Sequence, residues 1–296
     1  MKSRPWKLSW QLAVLAVVFS MLVITSGAAG ADSGVSCGET VTTDTTLDSN
    51  LICDGPGLIV DGATLDLNGN VLSGSNTSFG VRLQGLNAAV VNGTIRHFDG
   101  GVQMNGSPSR VSNVTISDNV GAGVYGLGGR TFGNPVIQYS TITRNGSNGI
   151  FLAVVDNARI DSNVISNNGG SGIDADLYVD VARYTNNRIT KNGKYGLFAF
   201  SSTSTAIGNT LSHNGLDGIH FVEGDAPFFA KGYTLTSNRA DDNGGVGISA
   251  CVQDSASGNS CAPGMIDGGG NVAKHNGGNA ECVNVVCARN SGTVAP

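Results

Sequence analysis

The amino-acid sequence predicts an all-β solenoid, a parallel β-helix whose two ends are closed by disulfide-bonded caps. Three observations predict this fold. A repeat of 22 to 29 residues runs through the middle of the chain, it carries columns of Asn, Gly and aliphatic residues, and the cysteines are confined to its two ends. Repeats of about 20 to 50 residues are typical of solenoids, because each unit buries its apolar face only against its neighbours.

The repeat consists of an Asn, three further residues, a Gly and an aliphatic residue. It occurs six times, at Asn119/Gly123, Asn145/Gly149, Asn168/Gly172, Asn192/Gly196, Asn214/Gly218 and Asn243/Gly247. The spacing leaves no room for a helix of usual length beside strands, and no helical periodicity appears in this part of the chain. Each repeat is therefore predicted to be one turn of short strands joined by polar corners.

A second Asn column fixes the register of the turns. Asn163, Asn187, Asn209, Asn238 and Asn271 each precede by five residues the Asn residues at 168, 192, 214, 243 and 276. Strands of neighbouring turns lie about 4.8 Å apart, a distance at which stacked Asn side chains can hydrogen-bond as an amide ladder. Two ladders are therefore expected. The repeat glycines are expected to supply backbone angles that a β-carbon would penalise.

Two aliphatic columns are predicted to fill the interior of the solenoid. The first is Ile116, Ile142, Ile165, Ile189 and Leu211, and the second is Val124, Ile150, Ile173, Leu197, Ile219 and Ile248. Ala240 and Ala273 continue the first column, which predicts a core that becomes thinner toward the C-terminal end.

The first 31 residues have the pattern of a secretory signal peptide. Lys2, Arg4 and Lys7 give a basic start, residues 12–24 form an uncharged apolar run, and residues 29–31 are small. The alternative is a membrane anchor, although a spanning helix needs about 20 apolar residues. Loss of three basic residues changes the formal net charge from -5 to -8. Because the mature chain is acidic, it is not expected to bind nucleic acid, and it is not expected to bind a membrane after the signal peptide is cleaved.

The remaining chain is divided into three parts. Residues 32–57 are predicted to be an N-terminal cap, residues 58–250 the β-helix repeats, and residues 251–296 a C-terminal cap and tail. The six cysteines allow 15 disulfide connectivities. Proximity in sequence favours pairing 37 with 53, 251 with 261 and 282 with 287. A zinc site is the alternative, but no Cys-x-x-Cys pair occurs. No metal and no cofactor are predicted.

Several segments resemble a known group of proteins. These are the opening Cys37-Gly-Glu-Thr with Leu51-Ile-Cys53, the stretch Leu65-Asp-Leu-Asn-Gly69-Asn-Val-Leu-Ser-Gly74, and Val91-Asn-Gly-Thr-Ile-Arg96. With the repeat, they resemble the secreted bacterial right-handed parallel β-helix proteins of the pectin-lyase-like superfamily. The resemblance covers about residues 37 to 287. It implies a right-handed helix in a superfamily whose enzymes commonly act on acidic polysaccharides.

The catalytic motifs of those enzymes are absent from this sequence. The mature chain contains no Trp, so it lacks the Trp-x-Asp-His segment of pectate lyases, and the Asp-Pro of alginate epimerases is also missing. Of the polygalacturonase motifs only an Asp-Asp pair occurs, Asp241-Asp242, and it lies at a repeat corner. The resemblance therefore transfers no catalytic residue.

The candidate site comes instead from a column that the repeat does not explain. Two residues after each repeat glycine, side chains are expected to point outward along one stacked strand. This column and the next outward column contain the predicted ligand-binding residues Tyr125, Phe151, Phe198 and Phe200, and the candidate catalytic residues Asp174, Asp176 and His220. Aromatic faces beside carboxylates suit a sugar chain. Glu223, Asp225, Phe228, Phe229, Lys231 and Tyr233 are predicted to form a loop over this face.

Three further patterns are interpreted as parts of the repeat. Gly121-Ala-Gly123-Val-Tyr-Gly126 matches GxGxxG, but no helix follows it. Asp241-Asp242 is interpreted as a solvated corner. His213 and His275 lie in one repeat column with Asp242 between them, where a solvated column is favoured over a metal pair.

Two functions fit the sequence. In the first, a secreted monomer contacts an extracellular polysaccharide through the outward column, with lyase or glycoside hydrolase activity as an open extension. In the second, the protein is a non-catalytic structural or surface protein of the cell envelope or matrix.

Overall fold

A computed structural model describes residues 34–127, 133–179, 181–201, 203–222, 232–252 and 266–288. These ranges contain thirty strands and no helix, and so none of them holds a helix that could span a membrane. The predicted signal peptide, Cys261 and the predicted loop residues 223–231 lie outside the described residues. Tyr233, which was also predicted to belong to this loop, is instead buried in a strand of the β-helix.

The strands are short and follow one another with the spacing of the repeat. The first ten are β1 (Thr40–Val41), β2 (Thr45–Thr46), β3 (Leu51–Ile52), β4 (Leu58–Asp61), β5 (Thr64–Asp66), β6 (Val71–Ser73), β7 (Phe79–Gln84), β8 (Ala88–Arg96), β9 (Gly100–Met104) and β10 (Ser109–Ser117). The next ten are β11 (Val124–Leu127), β12 (Val136–Gln138), β13 (Thr141–Thr143), β14 (Ile150–Ala153), β15 (Arg159–Asp161), β16 (Val164–Ser166), β17 (Ile173–Val179), β18 (Ala182–Thr185), β19 (Arg188–Thr190) and β20 (Leu197–Ser201). The last ten are β21 (Thr203–Ile207), β22 (Thr210–Ser212), β23 (Ile219–Val222), β24 (Gly232–Thr236), β25 (Arg239–Asp241), β26 (Ile248–Val252), β27 (Ile266–Gly269), β28 (Asn271–Lys274), β29 (Cys282–Val283) and β30 (Cys287–Ala288).

All of these strands pair in parallel with the equivalent strand of the next turn, which is the predicted parallel β-helix. Sheet 1 has eleven strands in the order β1-β4-β7-β9-β11-β14-β17-β20-β23-β26-β29. Sheet 2 contains β2, β5, β8, β10, β12, β15, β18, β21, β24 and β27. Sheet 3 contains β3, β6, β8, β10, β13, β16, β19, β22, β25, β28 and β30. The long strands β8 and β10 run through both sheet 2 and sheet 3.

The two predicted aliphatic columns form the core. Val124, Ile150, Ile173, Leu197, Ile219 and Ile248 are fully buried on sheet 1, and Ile116, Ile142, Ile165, Ile189 and Leu211 are fully buried on sheet 3. Leu211 pairs with Ala240 and Ala240 with Ala273, so smaller side chains fill the last turns as predicted. Burial of each large aliphatic side chain contributes about 1.5–3 kcal/mol.

Both predicted Asn ladders are present and directional. In the first, the Nδ2 of each Asn donates to the Oδ1 of the next at 2.8 to 3.0 Å, through Asn119, Asn145, Asn168, Asn192, Asn214, Asn243 and Asn276. The second runs through Asn163, Asn187, Asn209, Asn238 and Asn271 at 3.0 to 3.1 Å. The same Oδ1 atoms accept a backbone N–H, so the ladders satisfy polar groups that the core would otherwise leave unpaired.

The repeat glycines were expected to supply backbone angles that a β-carbon would penalise, and this reason was wrong. Gly123, Gly149 and Gly172 are absent from the positions with positive φ among the described residues. They are required because neighbouring turns approach too closely. A β-carbon on Gly172 would lie 2.7 Å from the carbonyl oxygen of Gly196 and 2.9 Å from the ladder amide of Asn192. The positive φ angles belong instead to the residues that precede the ladder asparagines, such as Asp118 (57°) and Asn167 (56°).

Disulfides lie near both ends of the solenoid, and carboxylates cap the two Asn ladders at the C-terminal end. The predicted Cys37–Cys53 and Cys282–Cys287 disulfides are present. Because each ladder Asn donates toward the C-terminal end, the last amide of each ladder needs an acceptor. The Nδ2 of Asn276 donates to Glu281 at 2.6 Å, and that of Asn271 donates to Asp267 at 3.1 Å. Both ladders therefore end on a carboxylate.

Asp267→Ala is expected to lower the free energy of unfolding by about 2–4 kcal/mol. The Asp267 carboxylate accepts hydrogen bonds from Asn271 and from the backbone N–H groups of Gly269 and Val286, and hydrogen bonds to charged groups contribute about 1.5–3 kcal/mol each. Urea unfolding followed by circular dichroism measures the change. The exposed Asp48→Ala variant is the control, and an equal effect in both variants would contradict the capping role.

Candidate functional site

The strand register of sheet 1 confirms the predicted outward column. Arg82, Gln103, Tyr125, Phe151, Asp174, Phe198, His220 and Ser249 are direct partners in successive parallel strands. The side chains from Gln103 to His220 are partly exposed, whereas Ser249 is buried. The aromatic and charged members therefore lie next to one another on the outer face of sheet 1.

The second outward column is interrupted. Ala153 pairs with Asp176 as predicted, but the register between β17 and β20 shifts after Ala175 and resumes with Val179 opposite Ser201. Phe200 pairs with Val222 on the following strand. Asp176 and Phe200 are both partly exposed. The irregular pairing means that they do not stack directly, as a regular column would require.

Asp174 is the most perturbed carboxyl group on this face. Burial, followed by the negative charge of Asp176, raises the pKa of Asp174 to about 6. A hydrogen bond from the Nδ2 of Asn148 at 2.9 Å and the positive charge of Lys194 act in the opposite direction. The Oδ1 of Asn148 accepts the backbone N–H of Ser171 at 2.8 Å, which fixes the orientation of the amide. Asp174 can therefore hold a proton near neutral pH.

The Asp174→Asn variant is expected to be more stable than the wild type above pH about 6, by about 1–2 kcal/mol once solvent screening is included. Folding raises the pKa of Asp174 from 3.8 to about 6, so the folded state disfavours the ionised form. The wild type then loses stability relative to Asn as pH rises from about 4 to about 6. Thermal unfolding at several pH values measures this. A difference between the variants that does not change with pH would contradict it.

His220 is held by a carboxylate that the sequence-based prediction missed. The Nδ1 of His220 lies 2.6 Å from the Oδ2 of Asp217, and both side chains are mostly buried. The other oxygen of Asp217 accepts the backbone N–H of Val246 at 2.7 Å. This bond anchors Asp217, and Asp217 in turn orients the imidazole, leaving Nε2 as the ring nitrogen away from the carboxylate.

Tyr195 is the second missed residue. Its ring centroid lies 4.7 Å from that of His220 and 5.3 Å from that of Phe198. The rings of Phe198 and His220 are stacked, with 5.8 Å between centroids and 12° between planes. Burial raises the pKa of Tyr195, and the negative charges of Asp217 and Asp174 add to this effect. Tyr195 therefore belongs to the same electrostatic unit as both carboxylates.

The missed residues share one position of the repeat. Asn148, Tyr195 and Asp217 each stand immediately before a repeat glycine. In other turns the same position holds Ala122, Ser171 and Val246, so the fold does not require a particular side chain there. An Asn, Tyr or Asp at this position is therefore a signal in the sequence that could have identified the missed residues. We name Asp174, Asp176, Tyr195, Phe198, Asp217 and His220 the acidic–aromatic cluster.

Tyr125 and Phe151 lie in a separate aromatic group farther toward the N-terminal end. The ring centroids of Tyr125 and Phe79 are 5.4 Å apart, and those of Tyr125 and Phe151 are 6.1 Å apart. The guanidinium of Arg82 lies 5.4 Å from the Phe79 centroid. Asp174 stands between this group and Phe198 in the column. The face therefore offers two aromatic surfaces on either side of a carboxyl group.

The corner residues Asp241, Asp242 and His275, which were interpreted as parts of the repeat, do not come together as a catalytic or metal site. The prediction of a solvated Asp241-Asp242 corner is wrong for Asp241, which is buried and whose Oδ2 lies 2.5 Å from the Nε of Arg239. His275 and Asp242 are 3.7 Å apart and both are exposed. Within the described part of the chain, no three His, Cys, Asp or Glu side chains are grouped as a metal site would require.

Comparison with known proteins agrees with the fold. The double mutant of the periplasmic alginate epimerase AlgG has 14% identity and a TM-score of 0.54, with 85% of this chain and 77% of that chain covered. The A-module of the Azotobacter vinelandii mannuronan C-5 epimerase AlgE6 has 14% identity and a TM-score of 0.49, with 83% and 78% covered. No curated protein shows a significant sequence match.

At the level of sequence families, the profile described as "Right handed beta helix region" matches residues 33–181 and 126–286. Together these matches span most of the chain, and they coincide with the stacked turns and the Asn ladders described above. The chain therefore belongs to the right-handed β-helix family.

Proposed function

We propose that the protein binds an extracellular polysaccharide on the outer face of sheet 1 and cleaves it at the acidic–aromatic cluster as a glycoside hydrolase. The observation that carries the proposal is Asp174, a carboxyl group with a pKa of about 6 beside the second carboxyl group of Asp176. A carboxyl group that keeps its proton near neutral pH, next to a second carboxyl group, has the arrangement of a paired acid and base.

Sugar binding is supported by the aromatic rings on either side of Asp174. Phe151 and Phe198 are its direct neighbours on the adjoining strands, and both are partly exposed. Sugar rings have an apolar face that packs on aromatic rings and hydroxyl groups that bind carboxylates and amides. Phe151, Asp174 and Phe198 extend over about 9.6 Å along the solenoid axis, which accommodates about two sugar rings.

The chemistry follows from the two carboxyl groups. Protonated Asp174 donates its proton to the glycosidic oxygen as the bond to the anomeric carbon breaks, and the carboxylate of Asp176 accepts a proton from the attacking water. Asp174 and Asp176 are residues i and i+2 of strand β17, so their Cα atoms lie about 6.6 Å apart, and both side chains are partly exposed. This spacing is compatible with the separation of about 6.5–9.5 Å between the carboxyl groups of inverting glycosidases. The products are a new reducing end and a new non-reducing hydroxyl group.

His220 favours a second candidate, a lyase. The Nδ1 bond to Asp217 leaves Nε2 for proton abstraction, and the ring of Tyr195 lies beside the imidazole, with 4.7 Å between centroids and 34° between planes. A carboxylate-bound His is a common general base. In this reaction the base removes the C5 proton next to a uronate carboxyl group, the glycosidic C4–O bond breaks, and the departing oxygen takes up a proton from water. The elimination leaves an unsaturated sugar. The product therefore distinguishes the two candidates, because only the lyase product absorbs in the ultraviolet.

Export is part of the proposal. The N-terminal pattern of basic, apolar and small residues is that of a signal peptide, and the two disulfides are of the kind that persists in oxidising compartments. The periplasmic alginate epimerase AlgG shares the fold. The protein is proposed to act outside the cytoplasm as a monomer.

The test is a glycan array combined with a polysaccharide-degradation screen on the mature protein. The proposal expects binding to a neutral polysaccharide and release of reducing ends, with that release reduced in the Asp174→Asn/Asp176→Asn variant. Binding and turnover unchanged in that variant would reject the site. Binding without turnover would support a non-catalytic carbohydrate-binding protein, and absence of binding to any glycan would support the structural alternative.

A further inference from the structure

Sheet 2 carries a row of arginines on its outer face. Arg110 pairs with Val136, Val136 with Arg159, and Arg159 with Arg183 on successive strands. All three arginines are exposed. Strands of neighbouring turns lie about 4.8 Å apart, so the row extends over about 14 Å parallel to the solenoid axis. A row of this length along the axis suits a linear partner better than a compact ion.

The fold does not require this row. Like charges that are direct neighbours on adjoining strands destabilise a sheet, and Arg159 and Arg183 are such neighbours. Arg159 is partly compensated by Asp161 at 3.4 Å, but Thr185 also donates to that carboxylate. Within the described ranges, neither Arg110 nor Arg183 has an acidic partner within ion-pair distance. The row therefore keeps guanidinium groups available to an external anion.

Tyr139 lies at the corner that joins sheet 2 to sheet 3. Like the arginine row, a Tyr at this position is not required by the fold. It is 58% exposed and adopts a left-handed φ of 51°, which bulky residues rarely adopt. The equivalent corner positions hold Asn113, Ser162, Asn186 and Gly208, small or polar residues that suit this conformation. Tyr139 therefore has a strained backbone conformation, and its side-chain ring is exposed to solvent.

We propose that Arg110, Arg159, Arg183 and Tyr139 form an arginine–tyrosine face that docks an anionic polysaccharide, separate from the acidic–aromatic cluster on sheet 1. Guanidinium groups bind carboxylate and sulfate oxygens in a planar, two-point geometry, and the tyrosine ring packs against a sugar ring. The partly exposed Gln138 and Thr185 lie beside the row. Their donor groups bind Ser112 and Asp161, and their oxygen atoms remain as acceptors for sugar hydroxyls.

Charge separation between the two faces supports this assignment. The sheet 1 cluster contains three carboxyl groups, Asp174, Asp176 and Asp217, with Lys194 as the nearby cation that acts on Asp174. The glycoside hydrolase proposed for sheet 1 acts on a neutral polymer, so the arginine row is the face that attracts an anionic chain. The arginine–tyrosine face therefore anchors the protein on an acidic matrix while the sheet 1 face remains open, and the proposal does not depend on any catalytic activity.

The test uses the mature protein and immobilised polygalacturonate, a carboxylated polymer, with chondroitin sulfate, dextran and duplex DNA as comparison ligands. The variants are Arg159→Gln/Arg183→Gln and Tyr139→Asn, the latter introducing the residue found at the equivalent corner 186. The matched control is Arg96→Gln/Lys274→Gln, which removes the same charge about three turns to either side. Circular dichroism verifies that each variant is folded.

The proposal expects binding to an anionic polysaccharide and none to dextran, with affinity that falls as NaCl is raised. Arg159→Gln/Arg183→Gln should weaken this binding about 10-fold or more and Tyr139→Asn about 3-fold, whereas the control should change it less than about 2-fold. Preference for polygalacturonate or for chondroitin sulfate identifies the anion as carboxylate or sulfate. Equal losses in cluster and control variants, DNA binding as tight as polysaccharide binding, or no binding to either anionic polysaccharide would overturn it.

Discussion

Asp174→Asn is expected to lower turnover of the polysaccharide by about 10²- to 10⁴-fold, the range typical for loss of a general acid or base. The amide has nearly the same shape as the carboxyl group and can still accept the hydrogen bond from Asn148, but it cannot transfer a proton. Substrate binding should therefore persist while kcat falls. Initial rates of reducing-end release measure the effect.

The pH profile of the wild type gives an independent check on the same residue. Because burial and Asp176 raise the pKa of Asp174 to about 6, the proton donor is lost as pH rises through that value, and kcat/KM should fall above it. Asp99→Asn, an exposed carboxyl group on the same sheet edge, is the control. A variant at Asp174 with full activity, or an activity that keeps rising above pH about 7, would exclude Asp174 as the acid.

Gly172→Ala is expected to have the largest effect on stability, a loss of about 2–6 kcal/mol. The new β-carbon would lie 2.3 Å from a methyl group of Ile189 and 2.7 Å from the carbonyl oxygen of Gly196. Overpacking of this kind costs about 1–3 kcal/mol, and displacement of the ladder amide of Asn192 adds about 1–3 kcal/mol for the hydrogen bonds lost.

Gly55→Ala is the matched control for this substitution, because a β-carbon at Gly55 would have no neighbour within 4 Å. It should leave stability unchanged or raise it slightly, since Ala restricts the unfolded chain more than Gly. Chemical unfolding of both variants gives the comparison. Similar stabilities for the Gly172 and Gly55 variants would mean that the turns can separate without cost, contrary to the packing described here.

Most of the fold was predictable because stacking forces each turn to repeat the last. Asn168 and Ile173 occur at fixed offsets in the repeat, and the offsets alone gave the ladders, the core columns and the outward column on sheet 1. The reason for the repeat glycines was not predictable from the sequence. A close approach between turns and a positive φ angle both require a Gly, so the sequence does not distinguish the two causes. Only the three-dimensional structure shows that Gly172 faces the carbonyl group of Gly196.

The candidate site was predictable in part. The outward column contained Asp174, Phe198 and His220, because strand alternation alone decides which side chains point outward. Tyr195 and Asp217 were missed because they lie in the corner before the strand, where no simple alternation rule gives the direction of a side chain. Their contacts with His220 depend on the path of that corner in three dimensions.

The most direct test of the central claim, that the acidic–aromatic cluster on sheet 1 binds and processes a polysaccharide, is a crystal structure of the Asp174→Asn variant with an oligosaccharide of the polymer that the wild type degrades. The account predicts a sugar ring packed on Phe198, with the glycosidic oxygen within hydrogen-bonding distance of the side chain at position 174. An oligosaccharide bound only elsewhere, with the sheet 1 face empty, would contradict it.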